Sequence, residues 1–166
     1  MNDFIKDDHC SYCGTEHTEK KLWPRMCFRC YNESYKNPVP VVCMIIPIWG
    51  KGHLIQKRGI DPKKGGWAFP SGYIDYGEEW FDAATRELKE EMGLETTADQ
   101  FKLLDVRNDT EGHMMVTCTH PGFFETELLN DFVPNSEVLE YGYTHSDDPA
   151  PLCFPTQEKV FKKFFT

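Results

Sequence analysis

GYIDYGEEWFDAATRELKEEMGL, running from Gly72 to Leu94, is the stretch on which the reading of this chain turns. Asp75, Glu78, Glu79, Asp82, Glu87, Glu90 and Glu91 crowd into it around Arg86 and Lys89. Like charges three or four residues apart on a helix repel by roughly 0.2–0.5 kcal/mol per pair. Such a face is either simply solvated or built to meet a cation. The spacing predicts a helix from Glu79 to Met92, with Gly93 as its stop and acids in the first turn, where the helix dipole favours them. At about 100° per residue, Phe81, Ala84, Leu88 and Met92 share the core-facing stripe. Glu87 and Glu91 lie one turn apart on the adjacent flank, with Glu90 at its border. Four residues on from Glu87 stands Glu91, not a base. Oxygen ligands gathered in this way suit Mg2+ or Mn2+. Glycines on either side (Gly65, Gly66, Gly72, Gly77) allow backbone to approach a ligand closely.

Outward toward the amino terminus, HCSYCG and MCFRC carry two C-x-x-C pairs, Cys10/Cys13 and Cys27/Cys30, with thirteen residues between them. Each pair puts two thiolates on one tight turn. Two such turns make a tetrahedral four-sulfur zinc site with Zn–S near 2.3 Å. Gly14 suits a knuckle that needs a permissive backbone, and His9 and His17 are alternative ligands that four cysteines make unnecessary. A module this short cannot bury a core of its own, so its expected task is structural. Cys43, Cys118 and Cys153 sit in apolar runs and read as buried free thiols. Seven cysteines, an odd number, point to metal and thiols more than to a disulfide framework.

NPVP (Asn37–Pro40) reads as a boundary, giving domains 1–37 and 38–166. Beyond it, Val41–Trp49 reads as a buried strand and His53–Arg58 as its hairpin partner. FKLLDVRN, HMMVTCTH, FFETELL and EVLEYGYTH are further strands. A closing amphipathic helix from Phe154 points Val160, Phe161 and Phe164 inward. The formal net charge is -9, and residues 41–166 carry all of it, with 21 acids against 12 bases. That balance is a poor footprint for long nucleic acid. No stretch approaches the roughly 20 apolar residues of a membrane span, and the start lacks the basic and apolar regions of a leader. The expectation is therefore a cytoplasmic protein with no nucleic acid and no membrane among its partners, a homodimer as an allowed assembly, and small phosphorylated substrates only where cations mediate.

Gly72, five residues, Glu78, seven residues, Arg86-Glu87-Leu88, one residue, Glu90-Glu91, one residue and Gly93-Leu94 together resemble the Nudix box at every specified position. GGWAFPSG resembles the family's lead-in, with Ser71 in place of the first of two glycines. The resemblance implies an α/β fold, a Nudix α/β/α sandwich with a mixed sheet, here preceded by a small zinc ribbon. It also implies metal-dependent hydrolysis of a nucleoside diphosphate linked to another moiety. Carried over, Glu87, Glu90, Glu91 and the Ser71 carbonyl are the Mg2+ or Mn2+ ligands, and Arg86 orients a box glutamate. Glu137 and Glu140 resemble an E-x-x-E segment that supplies a base, with Glu140 counted among the catalytic residues. Arg58, with Lys57 beside it, is a phosphate contact, and Trp67 and Phe69 are candidates to stack a base.

A four-cysteine ribbon followed by Y-x-N-P and the box occurs in two groups. The NADH pyrophosphatases carry an S-Q-P-W-type motif after the box, which this chain lacks. The ribbon-bearing hydrolases of FAD and ADP-ribose are resembled by YKNPVPVVCMII and the late LCFP. ADP-ribose, FAD and NADH therefore stand as substrates. The alternatives are triphosphate hydrolysis, RNA-cap processing and a non-catalytic ADP-ribose sensor, which intact Glu87, Glu90 and Glu91 argue against.

Overall fold

Val41–Ile46 is apolar at every position, so it has no face to offer to water and must be covered on both sides. A computed structural model describes residues 7–19 and 22–166 and shows how. The opening residues, part of the stretch read against a leader, lie outside the described residues. Val42, Met44 and Ile46 pack into one cluster with Ala83, Ala84, Leu88 and Met92 of helix α1 (Trp80–Met92). Cys43 and Ile45 point the other way, into a second cluster with Val160 and Phe161 of helix α2 (Pro155–Phe165). One strand thus separates two helical layers, the arrangement of an α/β/α sandwich.

The chain divides into two compact units, Met1–Pro38 and Val39–Thr166. In the first, β1 (Arg25–Met26) and β2 (Glu33–Ser34) form an antiparallel pair. In the second, β3 (Val39–Ile45) is followed by β4 (Pro47–Ile48), β5 (Gly52–Arg58), β6 (Trp67–Ala68), β7 (Ser71–Tyr73), α1, β8 (Lys102–Asn108), β9 (His113–Thr119), β10 (Val138–Thr144) and α2. One sheet has the order β7-β3-β9-β8, with β3 and β9 parallel and the other pairs antiparallel. The other has β10-β5-β4, with β6 also on β5. The parallel pair needs a long crossover, and α1 lies within it.

Several expectations change. Val41–Trp49 is not one strand: the ladder ends at Ile45, Pro47 starts a strand in the other sheet, and Trp49 is exposed. FFETELL is not a strand. Phe124 makes an isolated bridge to Ile48, and Thr126–Leu129 then coil into a 3-10 turn. Its buried anchors are Phe124 and Leu129, an odd spacing that no pleated strand can bury on one face. In α1 the stripe includes Ala83, and Phe81 is only partly buried. In α2, Phe165 and not Phe164 joins the core, together with buried Gln157.

His53 lies edge-on to Phe161 (5.1 Å between centroids) and Phe165 (4.6 Å). Burial, with His145 nearby, pushes its imidazole down to about 4. The unfolded chain takes up this proton near 6.5, so between pH 6.5 and 4 the unfolded state binds more protons and stability falls as pH falls. The melting-temperature advantage of the parent over His53→Gln should therefore shrink from pH 7 to pH 5 in matched thermal scans.

Candidate active site

Helix α1 is entered from Glu79 in extended geometry and leaves through Gly93 at φ 70°, whose N–H returns to the Lys89 carbonyl. A left-handed stop of this kind is where glycine is favoured. Between these ends the carboxylates are graded by burial: Glu90 is exposed, Glu87 is mostly covered, and Glu91 is 6% exposed.

Arg86 organises the exposed side of this flank. Its Nε and Nη2 donate to the two oxygens of Glu78 at 3.0 and 2.9 Å, and Nη2 also reaches the Tyr73 carbonyl at 3.0 Å. Its Nη1 donates to Glu87 Oε1 at 2.6 Å and Glu90 Oε2 at 3.4 Å. Only a planar fork with several donors meets this set; an ammonium group would not. Hydrogen bonding to Arg86 holds the Glu78 carboxyl below its ordinary value. Burial raises that of Glu87, with Arg86 opposing the rise.

Glu91 is held from the other side. Gln56 Nε2 on β5 donates to Oε1 at 2.6 Å, and the Ser71 N–H donates to Oε2 at 3.0 Å. Burial nonetheless pushes the Glu91 carboxyl up to about 8, so a cation taking this oxygen displaces a proton. Gly72 is needed for another reason: a Cβ there would fall 1.9 Å from Glu87 Cδ.

The carboxylates open onto a cavity of about 350 Å3 whose lining includes Arg58, Ser71, Glu87, Glu90, Glu91 and Glu137. Glu137 also shares a smaller recess with Glu90 and Glu91. Glu140 is not in either lining; it is ion-paired with Lys57 at 2.9 Å on the exposed side of β10. A bulge between Val138 and Glu140 separates the two acids' settings. Phe69 is also corrected: it is fully buried against Phe161 (5.3 Å), with no face for a substrate. Trp67 packs over Gly142 and lies outside the cavity lining. Gln56, Gln157 and Phe154 were missed. For Gln56 the signal was there, an amide in the buried run LIQ, since buried polar groups need a specific partner.

The donor set fits a divalent cation. Carboxylate oxygens of unequal burial, with the backbone at Ser71 beside them, form a hard, anionic wall. In the amino-terminal unit the fit is sharper. Cys10 and Cys30 Sγ stand 3.6 Å apart, as do Cys13 and Cys27, and all four sulfurs lie within 4.8 Å of one another. A tetrahedron with metal–sulfur bonds of about 2.3 Å has edges of about 3.8 Å. The two knuckles repeat one geometry: Gly14 and Tyr31, each just after the second cysteine, have φ of 71° and 59°. Their N–H groups bond to the Cys10 and Cys27 carbonyls at 2.9 Å. Hydrogen bonding with Thr15 pulls the Cys13 thiol down to about 6, toward the thiolate a metal takes. The buried Cys43 and Cys118 thiols are pushed up instead, Cys118 to about 12, while Cys153 is only half-buried.

Comparison with known proteins agrees with this architecture. The NUDIX domain model matches residues 38–163. The chain belongs to the Nudix family, whose members generally depend on divalent metal ions. It is 28% identical over 157 residues to the NAD-capped RNA hydrolase NudC of Salmonella paratyphi C (strain RKS4594), covering 88% of this chain and 54% of that protein. It is 42% identical over 110 residues to Nudix hydrolase 2 of Arabidopsis thaliana, covering 66% of this chain and 35% of that protein. The chain thus spans about half or less of these curated relatives. The fold is similar to that of a NUDIX hydrolase from Nitrosomonas europaea, with a TM-score of 0.61, 24% identity and coverage of 95% of this chain and 89% of that one. It is also similar to the NUDIX domain of Shewanella oneidensis NrtR complexed with ADP ribose, at a TM-score of 0.60 and 17% identity, covering 78% and 87%. Among the described residues, no helix is long and apolar enough to cross a membrane.

Gly72→Ala should expel the Glu87 carboxylate from its place while leaving α1 intact. Mn2+ affinity, read by electron paramagnetic resonance, should fall about 10–100-fold, the usual cost of disturbing a ligand's support, with an unchanged circular dichroism spectrum.

Proposed function

We propose that this protein hydrolyses the pyrophosphate bond of a nucleoside diphosphate linked to another moiety, ADP-ribose, FAD or NADH, and releases AMP. The observation that carries the reading is the graded carboxylate flank of α1 opening onto a cavity, with every box residue tied to a neighbour. Glu87, Glu90, Glu91 and the Ser71 carbonyl hold Mg2+ or Mn2+. Held there, such an ion would supply charge neutralisation of the diphosphate and a lowered pKa for the attacking water. Arg86 is a positioning residue: its guanidinium is spent on Glu78, Glu87, Glu90 and the Tyr73 carbonyl. Gln56 and the Ser71 N–H fix the two oxygens of Glu91. Glu137, on the loop before β10 and in the same cavity, is better placed than Glu140 to take the proton from water. Arg58, a phosphate contact by the family resemblance, stands in the same lining.

The first unit, to about residue 37, is a zinc ribbon that supports the fold, and its reduced thiols suit a cytoplasmic setting. NAD-capped RNA carries the same bond as free NAD, and relatives bearing that name keep RNA-cap processing as a second reading. The acidic body favours the small substrate.

Rates on ADP-ribose, FAD, NADH, an NAD-capped oligonucleotide and dGTP, measured side by side with Mg2+ or Mn2+, test the substrate. AMP should appear with ribose 5-phosphate, FMN or reduced nicotinamide mononucleotide. Fastest turnover of dGTP with release of inorganic pyrophosphate would overturn the reading. Glu91→Gln should keep the fold and cut turnover by several orders of magnitude; activity within a few-fold of the parent would mean that the flank is only solvated.

The ribbon should hold about one zinc per chain, by elemental analysis of protein purified under reducing conditions. Cys27→Ser should lower its melting temperature far more than the turnover of the protein that survives, because metal binding here is folding free energy.

A further inference from the structure

The cavity has three kinds of wall. One is the carboxylate flank of α1, and a second is Asp109, Glu111 and His113 at the turn into β9. The third is apolar, with Ile60, Pro62, Met115 and Phe154 in its lining and Arg58 as the single arginine or lysine. Arg58 is not a loose surface cation. Its Nε donates to the Pro62 carbonyl at 2.8 Å, and its guanidinium carbon stands 5.1 Å from the centre of the Phe154 ring. Phe154 is fixed in turn, since it is the residue from which α2 starts, directly before Pro155. Tyr73, the other phenyl-type ring of the lining, is turned toward His113 at 6.1 Å.

We propose that Phe154, with the Arg58 guanidinium laid against it, is the platform on which the base of the bound nucleotide stacks. Bases stack on aromatic rings and on guanidinium planes alike, and this corner offers both beside an apolar wall. The rings the sequence offered do not serve, because Phe69 is sealed in the core and Trp67 lies outside the lining; Tyr73, which does line the cavity, has no guanidinium against its ring and faces His113. Size points to one base. At about 350 Å3 the cavity is at the small end for a ligand site, a size that suits one nucleoside and its phosphates. Charge points the same way. Phosphates belong where cations gather, against Glu87, Glu90 and Glu91, and the uncharged ring is left the apolar end. The proposal rests on the nucleotide reading above and adds the residue that selects a ring-bearing half.

The test is binding without turnover. AMP and ribose 5-phosphate are titrated by NMR into the full chain, zinc retained and catalytic divalent ions withheld, for the parent, Phe154→Leu and Phe154→Tyr. Leucine keeps apolar bulk and removes the ring; tyrosine keeps the ring. Phe154→Leu should weaken AMP at least tenfold and ribose 5-phosphate less than twofold, and Phe154→Tyr should recover AMP to within threefold of the parent. In any dinucleotide assay Phe154→Leu should raise KM more than it lowers kcat. Unchanged AMP affinity in Phe154→Leu, an equal loss of ribose 5-phosphate, or no AMP binding by the parent at millimolar concentration would each overturn the proposal. Melting curves confirm that the variants are folded. A protein that bound AMP in this way but cleaved no dinucleotide would sink the hydrolase reading and leave the platform standing.

Discussion

A carboxylate keeps its place on a half-buried helix flank only if something replaces the water it gave up. Here that replacement is divided between Arg86 and the pair formed by Gln56 and the Ser71 N–H. Arg86 gathers Glu78, Glu87, Glu90 and the Tyr73 carbonyl, so the loop before α1 and the helix itself close around one guanidinium. Gln56 and Ser71 take the two oxygens of Glu91 from strands in different sheets. The acidic flank is thereby tied to both halves of the sandwich, and its geometry is set by the whole domain.

That arrangement needs a frame that does not yield. The frame is β3, buried on both faces, with Val42 and Met44 turned to α1 and Cys43 and Ile45 turned to α2. Ser71 is registered opposite Cys43, so the strand that fixes the core also fixes the backbone beside Glu91. Gly72 follows immediately, where only a hydrogen in place of a side chain leaves space for Glu87. Core packing and site geometry are therefore parts of one construction, and changes in the first are felt in the second.

The site is held at some cost to stability. Burial favours the protonated form of Glu91, and an ion must compete with that proton and then compensate for the charge it leaves. Any ligand that binds the folded chain alone will stabilise it. The same logic operates at the amino-terminal unit, where four sulfurs are brought within 4.8 Å although the strands of that unit are only two residues long. A metal held there would do the work that a buried core does in the larger unit.

Much of this was legible in the residues. Periodicity placed α1 and its acidic flank, the fixed positions from Gly72 to Leu94 named the family, and the two C-x-x-C pairs marked the metal module, because each of these is a local pattern with a local physical cause. What failed was whatever depended on contacts distant in sequence. FFETELL reads as a strand from its aromatic and aliphatic residues, but only Phe124 bridges to Ile48 before the chain coils at Thr126–Leu129. Phe69 and Phe154 are both aromatic residues beside prolines, and nothing local tells the sealed ring from the cavity ring. Glu137 and Glu140 look equivalent until a bulge in β10 sends one toward the α1 carboxylates and the other toward Lys57. Which chemistry the helix can offer was readable from the residues alone, since charge spacing on a helix is fixed by its 3.6-residue turn. Which residues face that chemistry came from packing, because burial, register and close approach are properties of elements brought together.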